Sequence, residues 1–348
     1  MSKIRMSHGA GGRAMQSLLR ERVLPHLVSG FGEVPLSAMD DSGVIEGIVF
    51  TTDSHTVKPL FFPGGDIGSL SVAGTVNDVS VMGARPIALS LAMVVEEGMD
   101  VEDLERIATS VGATAKKAGV PIITGDTKVV ERGAIDRLVI NTSGIGMRSE
   151  ELDHDLAIVG NHRPMASRWL EDRNVADGDA IIVSGSVGDH GVAILSAREG
   201  YGFEGDVRSD VAPLNGIIRE ALKAGGIAAM KDPTRGGLAN ALNEFAEKSH
   251  VGIEITEEAI PIKQAVRGAC GMLGLDPLEI GNEGKAVMAV VPQMAEEVLA
   301  ALRRTPEGKD AAIIGKASRA VRGVVMRTRV GGRRIIEPPV GDPVPRIC

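Results

Sequence analysis

The chain has 348 residues and a formal net charge of −8, with 43% hydrophobic and 24% charged residues. That length predicts two domains, and the acidic balance with only one Trp and one Tyr argues against a nucleic-acid surface. No apolar run approaches membrane-spanning length, the N-terminus lacks a signal pattern, and the two cysteines fit a reducing compartment, so a cytoplasmic location is expected.

Ser7-His8-Gly9-Ala10-Gly11-Gly12 opens the chain as a glycine-rich loop before an amphipathic helix carrying Leu18, Leu19, Val23 and Leu27 at helical spacing. Such a loop offers backbone N–H groups to an anion, or serves simply as a linker. The paired carboxylates Asp40 and Asp41 follow in a turn that fits either an Asx-type turn or a metal site. Residues 48–53 form a strand delivering Asp53, with Ser54 and His55 after it. Pro63 to Gly68 opens a helix in which Asn77 and Asp78 are polar among Val72, Val76, Val79 and Val81. A buried carboxylate needs a strong partner, and a metal ion is one.

Residues 87–95 read as a strand, 101–118 as a helix and 121–124 as a strand ending in the loop Gly125-Asp126-Thr127-Lys128; a last strand of this half covers 138–146. Five aspartates (40, 41, 53, 78 and 126) at strand ends, turns and one helix suit Mg²⁺, which keeps waters and bridges phosphates. No Gly-x-x-x-x-Gly-Lys-Ser/Thr occurs, so a P-loop is excluded.

The sequence turns polar and irregular over 150–178, with His154 and His162 on its surface, and the domain boundary is placed there. A strand at 180–184 leads through Gly185-Ser186-Val187-Gly188-Asp189-His190-Gly191 into a helix. These glycines lack the dinucleotide spacing; tight strand–helix packing explains them, and a phosphate or the C-terminal arm is the alternative. Lys231-Asp232-Pro233-Thr234-Arg235-Gly236-Gly237 precedes a helix that Asp232 and Thr234 can cap, with Arg235 able to reach a phosphate. Glu283 sits in a loop between Gly281-Asn282 and Gly284-Lys285, as a plain turn carboxylate or a positioned base. Strands follow at 286–291, 313–314 and 324–328. Cys270 falls in a helix as a buried small hydrophobe.

The last stretch, Pro338-Pro339-Val340-Gly341-Asp342-Pro343-Val344-Pro345-Arg346-Ile347-Cys348, has four prolines that exclude helix and central strand. In polyproline geometry it spans about 30 Å, so it reads as an arm carrying the Cys348 thiol.

With these pieces the chain resembles the HypE-type hydrogenase maturation proteins, which are carbamoyl dehydratases of the PurM/AIR-synthetase-like ATP-binding superfamily. The resemblance runs almost end to end. It rests on Ser7–Gly12, on Thr52-Asp53-Ser54-His55-Thr56-Val57-Lys58-Pro59-Leu60-Phe61-Phe62-Pro63-Gly64-Gly65-Asp66-Ile67-Gly68, and on Gly74-Thr75-Val76-Asn77-Asp78. Gly125 to Glu131, Asp232 to Gly237, Asn282 to Lys285 and the terminal Pro345-Arg346-Ile347-Cys348 complete it.

The resemblance implies an α/β (α+β) two-domain fold: an N-terminal ATP/Mg-binding and dimerisation domain over 1–155, an α+β domain over 156–336, and a flexible tail over 337–348. It implies a homodimer whose strands pair into a barrel, with ATP between the domains. Cys348 would accept a carbamoyl group from the carbamoyltransferase HypF. ATP-dependent dehydration would convert the thiocarbamate to a thiocyanate, and cyanide for the iron of nickel–iron hydrogenase would pass to the HypC–HypD complex. Carried over residue by residue, Cys348, Lys128 and Glu283 are catalytic, with Lys128 the phosphate-side cation and Glu283 the base. Gly11, Gly12, Asp53, Asn77, Asp78, Gly125, Asp126, Thr127, Asp232, Thr234, Arg235 and Gly236 bind the nucleotide. Asp40, Asp41, Asp53, Asp78, Asp126 and Asp232 hold the metal. Two rival readings are a kinase or selenophosphate synthetase acting on a free small substrate, against which the arm-borne thiol speaks, and a metal-handling scaffold, against which the single arm sulfur speaks.

Overall fold

The computed structural model describes residues 3–165, 167–201, 207–341, 344 and 347–348. Asp342, Pro343, Pro345 and Arg346 of the arm lie outside the described residues. The first unit contains α1 (Arg13–Leu18), β1 (Gly43–Ile45), β2 (Ile48–His55), β3 (Phe61–Phe62), β4 (Gly65–Asp66), α2 (Ile67–Val81), β5 (Ala84–Glu96), α3 (Val101–Ala118), β6 (Ile122–Val130) and β7 (Leu138–Arg148). Its five-stranded sheet runs β1-β2-β7-β5-β6. Every pairing is antiparallel except β5 with β6, whose parallel register follows from the crossover through α3.

Local chemistry sets these helices. Asp66 caps α2 by accepting from the Ser69 N–H at 2.8 Å, while the Ser69 hydroxyl accepts from the Asp66 N–H. α3 has Glu102 and Asp103 in its first turn, Lys116 and Lys117 in its last, and a left-handed Gly119 at its end. α2 is apolar all round and lies against β2, β5 and β7, so one face of the sheet is buried. On the other face Ile48, Phe50, Ile123 and Met147 stand exposed.

Two expectations change here. The N-terminal helix stops at Leu18, widens into a π-type turn over Leu19–Val23, and then tightens into a 3-10 turn, Leu24–His26, that holds Pro25. The 125–128 segment is no loop: β6 runs straight through it to Val130 as the sheet's edge strand.

The second unit contains α4 (Glu150–His162), β8 (Ala180–Val183), α5 (Asp189–Glu199), α6 (Asn215–Ala224), β9 (Ile227–Lys231), α7 (Gly237–Ser249), β10 (Gly252–Thr256), α8 (Gln264–Leu273), β11 (Val287–Val290), α9 (Ala295–Arg303), β12 (Ala312–Ser318), β13 (Val324–Arg327) and β14 (Arg333–Ile336). Its seven-stranded sheet is ordered β14-β13-β10-β12-β8-β11-β9. Central β8 and β11 are buried at every residue and read as unbroken apolar runs.

The 150–178 connection, expected to be irregular, contains α4. Ser149 caps it, and its buried Leu152, Asp155 and Val159 pack towards α6 and β9. Asp155 accepts the Ile227 N–H at 2.8 Å, so a boundary at 155 would cut a helix bound to the second unit. Its polar positions simply cover the outer face. His154 and His162 are exposed, as expected.

One core joins Val49, Val79 and Met82 of the first unit to Ile182, Met288 and Leu302 of the second, with Trp169 between. A second lies between α2, α3, α5 and α8 and takes in Val344 and Ile347 of the arm. A third fills the opposite side of the large sheet around Ile181, Leu242 and Phe245. Among the described residues no helix is long and apolar enough to cross a membrane.

Candidate active site

A cavity of about 390 Å³ opens where the ends of β2 and α2 meet the turn between β9 and α7. Asp53, on β2, sits beside the cavity two residues before the fully buried His55. The glycine-rich opening contributes Gly11, and the 232–235 turn contributes Asp232, Thr234 and Arg235. Asp40, Asp41, Asp78, Glu283 and Cys348 complete the acidic and thiol lining.

The acids separate into two groups by what faces them. Lys248 binds Asp40 at 2.8 Å and Asp172 at 2.7 Å, and Lys231 binds Asp41 and lies 3.1 Å from Glu244. These buried lysines are raised in pKa by the acids around them, against the opposing effect of their own burial. Among the described residues, Asp53, Asp78, Asp232 and Glu283 have no lysine within ion-pair distance, although Lys231 still acts on Asp232 through its charge. Asp78 accepts from the Thr51 hydroxyl at 2.9 Å, and Asp53 from the Ser54 N–H at 2.9 Å, with His55 Nε2 3.4 Å away. One oxygen each of Asp232 and Glu283 is buried with no hydrogen-bond partner.

Burial and mutual repulsion push Asp78, Asp232 and Glu283 up. Burial, then the charges of Asp232, Asp53 and Asp41, holds Asp78 well above the carboxylate range. Asp232 is raised to about 6 by burial against the pull of Lys231. Glu283 is raised well above its usual value by burial and by Asp232, Asp53 and Asp210, with Arg235 opposing. Asp40 is also raised to about 6, by burial and Asp172. A site of buried, orphaned hard oxygens is short of positive charge.

No three His, Cys, Asp or Glu side chains among the described residues converge into a ready-made metal cage. Oxygen donors that leave coordination positions open suit a divalent cation completed by phosphate and water. The donor chemistry of Asp53, Asp78 and Asp232 therefore fits Mg²⁺, whereas Asp40 and Asp41 are already engaged by lysines.

The arm, expected to be a flexible tail, lies docked in the structure. Val344 and Ile347 are buried, and Cys348 lines the cavity. The Thr56 hydroxyl donates to the Cys348 main-chain oxygen at 3.5 Å. The negative charge of Cys348 is the first cause of the raised Arg235 pKa, followed by Asp53 and Glu283 on the same side. Burying Val344 and Ile347 contributes roughly 1.5–3 kcal/mol each towards docking.

Several residues expected at the nucleotide have other work here. A Cβ on Gly12 would meet the Pro339 carbonyl oxygen at 2.1 Å, so Gly12 makes room for the arm, whereas Gly236 has a left-handed φ of 78° and a Cβ there would first meet Asn240 Cβ at 2.8 Å. Asn77 faces protein: it donates to the carbonyls of Ala212 and Glu283 and accepts from Leu214 N–H at 2.7 Å, bracing the Glu283 loop on α2. Asp232 and Thr234 do not cap α7, whose cap position is Gly236 in the left-handed region. Gly125, Asp126, Thr127 and Lys128 lie on β6 outside this cavity. Asp126 and Lys128 form a solvent-exposed ion pair that lowers the Asp126 pKa.

Sequence reasoning gave no role to Lys231, Lys248, Asp172, Glu244 or His55. Only Lys231 and His55 carried any signal, as neighbours of Asp232 and Asp53. Lys248 and Asp172 reach the site through the fold, from the far end of α7 and a short turn after α4.

The fold and cavity define an AIR-synthase-related protein. Residues 39–148 match the AIR synthase related protein N-terminal domain, and residues 176–327 match the C-terminal domain. A putative hydrogenase expression/formation protein of Methanocaldococcus jannaschii is 52% identical over 99% of this chain and 100% of its own length. The carbamoyl dehydratase HypE of Rhizobium leguminosarum bv. viciae is 47% identical over 99% of this chain and 95% of its own. Among solved structures, a HypE–HypF complex superposes with TM-score 0.84 at 44% identity, covering 93% of this chain and 100% of that one. A hydrogenase maturation protein HypE in complex with ATP gives TM-score 0.80 at 42% identity, covering 99% and 100%. The chain belongs to the HypE family of carbamoyl dehydratases.

Asp232→Asn tests the charge imbalance. Because the folded Asp232 pKa, about 6, exceeds its ordinary 3.8, its contribution favours the fold at acid pH and is lost as pH rises from about 4 through 6. The ligand-free wild type should therefore lose stability between about pH 4 and 6. Asp232→Asn should flatten that fall and raise the melting temperature at pH 8 by a few degrees (about 2 °C or more), while weakening metal–nucleotide binding at least tenfold. Calorimetry across pH with a binding titration reads both. An unchanged pH slope would remove the claim that this carboxylate is under strain.

Proposed function

We propose that the chain dehydrates a carbamoyl group carried on Cys348, using ATP, and so makes a protein-bound thiocyanate as the cyanide source for hydrogenase maturation. The observation that carries this reading is the seat of Cys348: its cavity also holds the acids Asp53, Asp78, Asp232 and Glu283 with Arg235.

The thiocarbamate Cys348–S–C(=O)–NH₂ holds its oxygen tightly because hydroxide is a poor leaving group. Transfer of the ATP γ-phosphoryl to that oxygen, with loss of one nitrogen proton, gives an O-phosphorylated intermediate and ADP. Loss of the second nitrogen proton then forms C≡N as the C–O bond breaks and phosphate departs. Asp53, Asp78 and Asp232 are the proposed cation holders. A Mg²⁺ ion there would supply the positive charge that phosphoryl transfer needs.

Arg235 neutralises phosphate charge on the thiol side. Glu283 takes the nitrogen proton. In the ligand-free cavity burial, then the repulsion of Asp232 and Asp53, raises the Glu283 pKa well above its usual value. Neutralising those aspartates lowers it again, which favours the carboxylate form when the nucleotide site is filled.

Lys128 has no place in this cavity within one chain. In the proposed homodimer it acts on the partner's site, because β6 is an open edge and the sheet's outer face exposes Ile48, Phe50, Ile123 and Met147, apolar surface that a second copy would cover. The carbamoyl donor would be a HypF-type carbamoyltransferase, as the HypE–HypF neighbour suggests. A HypC–HypD-type complex would accept the cyanide.

Intact-protein mass spectrometry follows the chemistry directly. Carbamoyl donor and ATP should add one carbamoyl group and then remove one water. Cys348→Ala should abolish both changes while retaining nucleotide binding, and Glu283→Gln should stop at the carbamoyl adduct with at least a hundredfold slower dehydration. Loss of water from a carbamoylated Glu283→Gln chain at the normal rate would take the base role away from Glu283.

Mixing Lys128→Ala with Cys348→Ala chains tests action in trans. Random exchange should restore about a quarter of wild-type site activity, because mixed dimers unite Lys128 of one copy with Cys348 of the other. No recovery after demonstrated subunit exchange would confine Lys128 to its own chain or remove it from the reaction.

A further inference from the structure

The turn Gly185-Ser186-Val187-Gly188-Asp189-His190-Gly191 has no part in the chemistry above. It carries the chain from β8 into α5 and places His190 in that helix's first turn, fully buried. Both ring nitrogens are used. Nε2 lies 2.7 Å from the main-chain carbonyl oxygen of Ile347, and Nδ1 lies 2.7 Å from the Ser209 hydroxyl.

A carbonyl oxygen can only accept, so Nε2 carries the proton. In the neutral ring Nδ1 then accepts from Ser209. The Ser209 oxygen is itself fixed by the Val211 N–H at 3.1 Å, and its backbone N–H donates to the Pro63 carbonyl at 2.8 Å. Phe62 meets the imidazole edge-on, with centroids 5.5 Å apart. The ring is thus held in one tautomer and one orientation, aimed at the peptide unit that joins Ile347 to Cys348.

The arm fits this point in shape as well. Ile347 fills the space over Gly281, where a Cβ would meet its Cδ1 at 2.5 Å. A side chain on Gly281 would therefore displace the arm one residue from the thiol. Asp210 is the acid facing His190 and is paired with Lys285 at 3.1 Å, while burial lowers the imidazole pKa, so the ring stays neutral.

We propose that His190 is the latch of the carrier arm, a positioning residue that grips the Ile347 carbonyl, seats the next residue's thiol against Arg235 and Glu283, and lets go when the arm leaves to load or unload. This deepens the reading of Cys348 as a carrier and rests on it. The grip itself is measurable without that chemistry.

The test is the rate at which a thiol reagent modifies Cys348 in the full chain, resolved by mass spectrometry from Cys270, which is buried in α8. His190→Ala should raise the Cys348 rate about tenfold, the factor one hydrogen bond to a buried carbonyl is worth. His190→Gln, which keeps an N–H near the Nε2 position, should restore most of the protection. In the same proteins the dehydration turnover number should fall for His190→Ala with nucleotide affinity unchanged, and recover in part for His190→Gln.

A wild-type rate for Cys348 in His190→Ala overturns the latch. If His190→Ala speeds Cys270 in parallel, the decision passes to Ser209→Ala, which leaves the imidazole in place. That variant must then speed Cys348 alone by about twofold or more, and its failure also overturns the latch. The two readings fail differently. A wrong carrier reading with a real latch leaves faster Cys348 modification in a chain that never dehydrates a carbamoyl group, whereas a wrong latch leaves dehydration intact with Cys348 no more exposed.

Discussion

The interaction on which the site depends is repulsion among buried carboxylates that two lysines relieve only in part. Lys231 and Lys248 each bridge acids from separate parts of the chain, and so fasten the paired aspartates 40 and 41 to β9, α7 and the turn at Asp172. Asp53, Asp78, Asp232 and Glu283 are left facing one another in a cavity of low dielectric. The raised pKa values of Asp78, Asp232 and Glu283 follow from that imbalance. A protein that keeps such an arrangement gives up stability to hold a place for positive charge.

The second constraint is the arm. Four prolines make it stiff, and the described points of contact are close ones: Pro339 over Gly12, Ile347 over Gly281, and the Ile347 carbonyl on His190. Glycines that look like phosphate-binding residues in the sequence are here clearance for a peptide. A carrier arm has to leave again, since a thiol fixed for good could not meet a donor outside the cavity.

Much of this was legible before the fold was known. Runs such as 101–118 carried helix periodicity and caps, and α3 has the expected bounds. Asp53, Asp78, Asp232, Arg235 and Glu283 announced themselves because hydrophilic side chains in apolar or glycine-flanked settings need a reason. What stayed hidden depends on long-range placement. Lys248 lies at the end of an ordinary amphipathic helix and Asp172 in a polar connection, so neither stands out locally. β6 was cut short because Gly125 and Asp126 look like a turn, yet an edge strand tolerates both when pairing on one side carries it. Asn77 was read as a ligand because its burial was correctly inferred, but its partners are backbone groups distant in sequence.

The central claim is that the carried group on Cys348 and the metal–nucleotide occupy one cavity. It is tested most directly by ¹³C nuclear magnetic resonance of a chain bearing a ¹³C-labelled thiocyanate on Cys348, with Mn²⁺ and a nucleotide in place of Mg²⁺. The account predicts strong paramagnetic broadening of the thiocyanate carbon, abolished by Asp232→Asn and restored to a sharp line by excess Mg²⁺. A carbon line that stays sharp with the manganese–nucleotide site saturated would contradict it.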